Sequence, residues 1–160
     1  MLAIGTVPIV DGAIRVGAAT SILVRPARQS AVEGIVAHHL RPSDVAGAPP
    51  LAEVLPELLE AIEAVDALLV HNAGLDVRVL RRACAALDLR WPRPPVIDTI
   101  DLITRIRKRE RATGHGRRLT RDLVGARQAL GLPPHQAHDA VSDAIATAEL
   151  YLALQARLSR

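Results

Sequence analysis

The chain has 160 residues, 49% of them hydrophobic, and a formal net charge of +3. That length suits one domain with a sizeable core, which must be aliphatic because there is no Phe, one Trp and one Tyr. The single cysteine, Cys84, excludes an intramolecular disulfide and a cysteine-rich zinc site; with no signal-peptide pattern and no apolar run of spanning length, a cytoplasmic protein with no membrane association is expected.

Residues 2–10 read as an apolar strand and 14–24 as its partner, with Asp11-Gly12 as the hairpin turn. Pro8 cannot donate to a ladder, so its position belongs at an edge or a bulge. A short helix is expected over 30–39, with His38 and His39 near its end, followed by a loop at Arg41-Pro42-Ser43-Asp44. Ala48-Pro49-Pro50 then precedes a helix over 51–64, whose apolar stripe is Leu51, Leu55, Leu58, Leu59 and Ile62. Residues 66–70 form a short, nearly continuous apolar run that suits a buried parallel strand. A helix over 73–87 follows, with Asn72 as its N-cap and Leu75, Val79, Ala83 and Leu87 on one face. Cys84 reads as a small core residue of that helix.

Residues 91–95 (Trp-Pro-Arg-Pro-Pro) read as a rigid loop, and 96–98 as a strand leading into a helix to about residue 107. From Arg105 to Arg121 there are eight basic residues and one acid, Glu110. Such a segment is either a solvated loop or a set of contacts to a phosphate backbone. Residues 119–130 return to helix through Leu119, Leu123, Ala126 and Leu130, and Gly131 ends it. A last helix over 140–157 is expected to bury Val141, Ile145, Ala148 and Leu152. The order of elements is that of an α/β domain with a mixed sheet, antiparallel at its start.

Chemistry concentrates at two helix mouths. His138 stands five residues before Asp143. Five helical residues turn through about 500°, so the two side chains share a site only if His138 lies in the entering loop. Asp76 sits in the same way in the first turn after a buried strand. In α/β sheets, sites collect at strand C-termini and helix N-termini. Two carboxylates with a histidine beside them suit a divalent ion and a base, and hard oxygen donors favour Mg²⁺ or Mn²⁺ over zinc.

The segment His71-Asn72-Ala73-Gly74-Leu75-Asp76 resembles the second motif of the DEDD-type 3′-5′ exonucleases, the superfamily of the polymerase III epsilon proofreading subunit. His138-Asp139-Ala140-Val141-Ser142-Asp143-Ala144 resembles their third motif in its His-containing, DEDDh form. The strand at 96–98, the basic segment and the opening hairpin follow the same layout, so the resemblance spans nearly the whole chain. It implies an RNase H-like fold, a mixed sheet flanked by helices, in a single domain over 1–160. It implies a two-metal Mg²⁺ or Mn²⁺ site with Asp143 and Asp76 as ligands and His138 as general base. Asn72 would be structural or beside the substrate. Arg105, Arg107, Lys108, Arg109, Arg111, Arg117 and Arg118 are the expected contacts to nucleic acid. The expected reaction releases nucleoside 5′-monophosphates from the 3′ end of DNA or RNA. The partners implied are single-stranded 3′ ends and a polymerase or other replication or repair protein; unpaired strand edges would also permit a homodimer.

One departure stands against this. The first motif of the family, Asp-x-Glu on a central strand, does not occur in the 160 residues. By the family's spacing it belongs ahead of Met1, so the chain is expected to be N-terminally truncated relative to the family and impaired as it stands. The alternative is an inactive nucleic-acid-binding or partner-dependent domain derived from the same fold.

Overall fold

A computed structural model describes residues 3–25, 42–113 and 119–159. The expected helix over 30–39, with His38 and His39, and the basic residues Arg117 and Arg118 lie outside the described residues.

The chain begins with a long hairpin that is broken twice. Strand β1 (Ala3–Thr6) pairs antiparallel with β4 (Thr20–Leu23), in a register running from Ala3 opposite Leu23 to Thr6 opposite Thr20. Between them, β2 (Ile9–Val10) pairs with β3 (Ala13–Ile14) across the two-residue turn Asp11-Gly12, both with positive φ, as a hairpin turn requires. The two long strands expected over 2–10 and 14–24 are thus four short ones. Pro8 falls in the first gap, where its missing N–H costs no ladder bond, and a 3₁₀ turn (Val16–Ala18) fills the second.

Helix α1 (Pro42–Ala46) replaces the loop expected from Arg41. Proline is tolerated in a first helical turn, and Asp44 there meets the positive end of the helix dipole. Helix α2 (Leu51–Glu63) buries Val54, Leu55, Leu58, Leu59 and Ile62, close to the expected stripe. Strand β5 (Leu68–Val70) runs parallel to β6 (Val96–Asp98), with Val70 opposite Asp98. Helix α3 (Ala73–Ala86) connects them. Its buried stripe is Val77, Leu80 and Cys84, whereas the expected face carries Leu75 and Leu87, which are exposed near the two helix ends.

Helix α4 (Thr99–Thr113) is longer than expected, because its Arg, Lys and Glu residues are good helix formers. Helix α5 (Leu123–Ala129) starts at Asp122 rather than at residue 119; the Asp122 carboxylate accepts the Gly125 N–H at 2.7 Å. Helix α6 (Ala140–Leu158) buries Ala146, Thr147, Ala148, Leu150 and Leu154. Of its expected stripe only Ala148 is buried; Val141, Ile145 and Leu152 are half-buried.

Two cores result. One joins α4, α5 and α6 through Leu102, Ile103, Ile106, Ala126, Leu150 and Leu154, with Leu119 from the preceding loop. The other joins α2 to α3 through Leu55, Leu58, Leu59, Leu80 and Cys84. Helix α6 packs against β1, β3, β4 and β5 as well as α4 and α5, and so links the hairpin to the parallel pair. Gly5 makes this possible. A Cβ at that position would overlap the carbonyl of Ala140, so the mouth of α6 lies directly on β1 only because residue 5 has no side chain.

Candidate active site

Asp98 organises the first helix mouth. Its Oδ1 accepts the N–H groups of Asn72 at 3.1 Å and Ile100 at 2.9 Å, and its Oδ2 accepts that of Ala73 at 2.8 Å. One carboxylate at the end of β6 therefore satisfies N-terminal donors of both α3 and α4. Asn72 does occupy the N-cap position of α3, but with φ at 71° and no capping bond from its side chain. The expected cap is supplied instead by a residue 26 positions away. The Asn72 side chain is left exposed beside the first turn, where Asp76 sits. Asp76 has exposed surface as a residue, yet its carboxyl is desolvated enough to hold its pKa above the ordinary value, against the pull of nearby His71.

His71 lies at the end of β5. Its Nδ1 is 2.7 Å from Thr99 Oγ1, and its ring also bonds the backbone of Arg121. Burial lowers its pKa; Asp98, the Arg121 backbone, Asp122 and Asp143 all pull the other way. The imidazole is thus a mostly desolvated ring surrounded by carboxylates from the starts of several helices.

The second mouth is built by residues 135–143. Asp139 caps α6, accepting the Ser142 N–H at 2.7 Å. Asp143 follows in the first turn. Its Oδ2 accepts the backbone N–H of His138 at 3.1 Å, and its Oδ1 lies 3.2 Å from His135 Nε2. His138 and Asp143 are therefore brought together as their spacing suggests, with His138 in the entering loop at φ 67°. The link runs through the His138 backbone; the imidazole partner of Asp143 is His135. The His135 side chain is 8% exposed and that of Asp143 38%. Sequence reasoning gave His135 no role, since a residue in a proline-led loop carries no periodic signal.

The loop itself is anchored by Arg127, which is 2% exposed. Its guanidinium donates to the carbonyls of Ala146 and Pro133, both at 2.8 Å, and pairs with Glu149 at 2.7 Å. Of the expected nucleic-acid contacts, Arg105, Arg107, Lys108, Arg109 and Arg111 lie on α4. Arg109 donates to the Leu158 carbonyl at 3.0 Å, and the adjacent Glu110 pairs with Arg157, so part of this segment ties α4 to the end of α6. Arg105, Lys108 and Arg111 are exposed.

The donor type suits a hard divalent ion: aspartates at two helix mouths, both within electrostatic reach of His71. The donor number does not complete a site. Among the described residues no group of three or more His, Cys, Asp or Glu is placed to hold a metal ion.

A sequence model of the exonuclease family, of the RNase T type, matches residues 1–151. The chain belongs to the exonuclease family. A Mycobacterium tuberculosis protein named as a bifunctional exonuclease/endonuclease is 31% identical over 156 residues, 97% of this chain and 23% of that protein. A DNA polymerase III subunit epsilon-like protein of Rhodobacter capsulatus is 31% identical over 151 residues, 94% of this chain and 20% of its own. The chain thus spans less than a quarter of these curated relatives. Among solved structures, exonuclease X in complex with 5′ overhanging duplex DNA superposes with a TM-score of 0.73 at 23% identity, over 100% of this chain and 85% of that one. The zinc-bound E. coli ExoI–ssDNA complex gives 0.74 at 18% identity, over 93% of this chain and 35% of that one. The fold is that of the RNase H-like exonucleases, an α/β domain as expected. Exonucleases of this family work with divalent metal ions.

Proposed function

We propose that this exonuclease domain hydrolyses phosphodiester bonds at the 3′ ends of nucleic acids and releases nucleoside 5′-monophosphates. The observation that carries the reading is the shared geometry of His138 and Asp143: a base and a hard oxygen donor held at one helix mouth by a 3.1 Å hydrogen bond. His138 takes the proton of the attacking water. With further acidic donors, Asp143, positioned by His135, and Asp76 would hold Mg²⁺ or Mn²⁺, which would supply charge neutralisation at the scissile phosphate. Asn72, together with Arg105, Arg107, Lys108, Arg109, Arg111, Arg117 and Arg118, contacts the strand, mainly through phosphates. Polymerase III epsilon-like relatives favour work beside a polymerase.

The domain's two aspartates need further acidic donors, and the chain has no Asp-x-Glu. The test compares these 160 residues with a form carrying an Asp-x-Glu strand ahead of Ala3, on 5′-labelled single-stranded DNA and RNA with Mg²⁺ or Mn²⁺. Little shortening is expected from the first and steady 3′-end degradation from the second. In the second, His138→Ala should lower the rate by roughly a hundredfold or more, and Asp143→Ala should do at least as much. An unchanged rate in Asp143→Ala would sink the metal assignment. The incomplete donor set also favours a second reading, binding without cleavage; retention of labelled strands with no shortening in either form would select it.

A further inference from the structure

A second feature lies away from these helix mouths. A cavity of about 480 Å³ opens between the second half of α3 and the loop that leads to β6. Cys84, on its wall, is eight residues past Asp76, roughly 12 Å further along the helix axis. The cavity shares no residue with the hydrolytic reading, so occupancy and cleavage can be tested separately.

Its walls are of three kinds. Cys84, Leu89 and Pro94 give an apolar floor. Trp91 gives an aromatic face, with the Arg81 guanidinium carbon 5.6 Å from the ring centroid. Arg81 and Arg93 give positive charge, and no carboxylate lines the space. The surroundings are of the same sign: between residues 77 and 95 there are five arginines and one acid, Asp88. None of the five is in an ion pair among the described residues.

Two details mark the loop as more than a connection. The indole Nε1–H of Trp91 is buried without an acceptor. Arg93, between two prolines, has φ at 55°. The other described non-glycine residues with positive φ are Asp11, Asn72, Asp88 and His138, types that tolerate this region. Arginine does not, and such strain collects where a side chain must be aimed at a ligand.

Two guanidinium groups match a phosphate, an aromatic face matches a flat ring, and the volume falls in the range of small-molecule sites. We propose that this cavity binds a nucleotide, either free or as one unit of a strand.

Trp91 is the sole tryptophan, so its fluorescence reports directly on the cavity. The protein is titrated, in EDTA to silence cleavage, with AMP, with inorganic phosphate and with a short single-stranded oligonucleotide. Calorimetry on the same samples detects binding that leaves the fluorescence unchanged. Saturable quenching by AMP, with phosphate much weaker, supports the proposal and points to a free nucleotide. Quenching by the oligonucleotide alone supports it and points to a strand. In either case the Arg81→Ala/Arg93→Ala variant should weaken binding roughly tenfold or more. Arg93→Glu, on an exposed side chain, repeats the test should the double variant unfold. The proposal is overturned if neither nucleotide binds, if phosphate binds as well as AMP, or if the arginine variants bind like the parent.

Discussion

His71 shows how a single ring can join a site to the stability of the fold. Burial lowers its pKa, and the carboxylates of Asp98, Asp122 and Asp143 only partly restore it. Above about pH 6.5, the ordinary value, both folded and unfolded chains keep the ring neutral and nothing is lost. As pH falls below that value the unfolded chain binds a proton that the folded chain resists, so stability drops until the lowered folded pKa is passed. Urea midpoints should therefore fall as pH is taken from about 7 to about 5, and His71→Gln should flatten that fall. An equal fall in parent and variant would show that His71 is not responsible. At this scale the sequence was partly legible. His138, Asp143 and Asp76 stand at fixed spacings that can be read without coordinates. His135 cannot be found that way, because its contact with Asp143 depends on how a proline-led loop folds back onto α6.

Among elements, the least visible design was the sharing of a cap. Asn72 before a helix reads as an N-cap from its type alone. The carboxylate that satisfies the donors comes from Asp98, on a different strand, once β5 and β6 have paired with Val70 opposite Asp98. Asp98→Ala removes three acceptor contacts at two helix starts and should destabilise the protein by about 2 kcal/mol in chemical denaturation. Asp98→Asn, which can keep one acceptor oxygen, should cost less. Equal midpoints for Asp98→Ala and parent would mean that the caps add nothing. Element types were mostly legible, since α2, α3, β6 and α6 lie close to their expected spans. Buried faces were less so. Helix α6 is rich in alanine, so its periodicity is weak, and close approach to β1 at Gly5 rather than bulk decides which side is covered.

At the scale of the whole molecule, long-range packing was the part that periodicity could not supply. That α6 would lie on the N-terminal hairpin and on the parallel pair at once follows from a glycine in one strand meeting the start of a helix some 135 positions later, not from any local pattern. Cys84 has a consequence at this scale. It is the sole thiol, 2% exposed in the core between α2 and α3, and burial pushes its pKa up. Cys84 also lines the cavity beside Trp91, so a reagent reaches this buried thiol either through the cavity wall or after α2 and α3 separate. The chain therefore carries its own chronometer. Under native conditions alkylation should run slower than for a free thiol by on the order of a thousandfold, for an opening of about 4 kcal/mol. Each modified molecule then records one opening, at the cavity wall or between those two helices. Labelling as fast as a free thiol would show that neither the cavity wall nor the α2–α3 contact shields the sulfur.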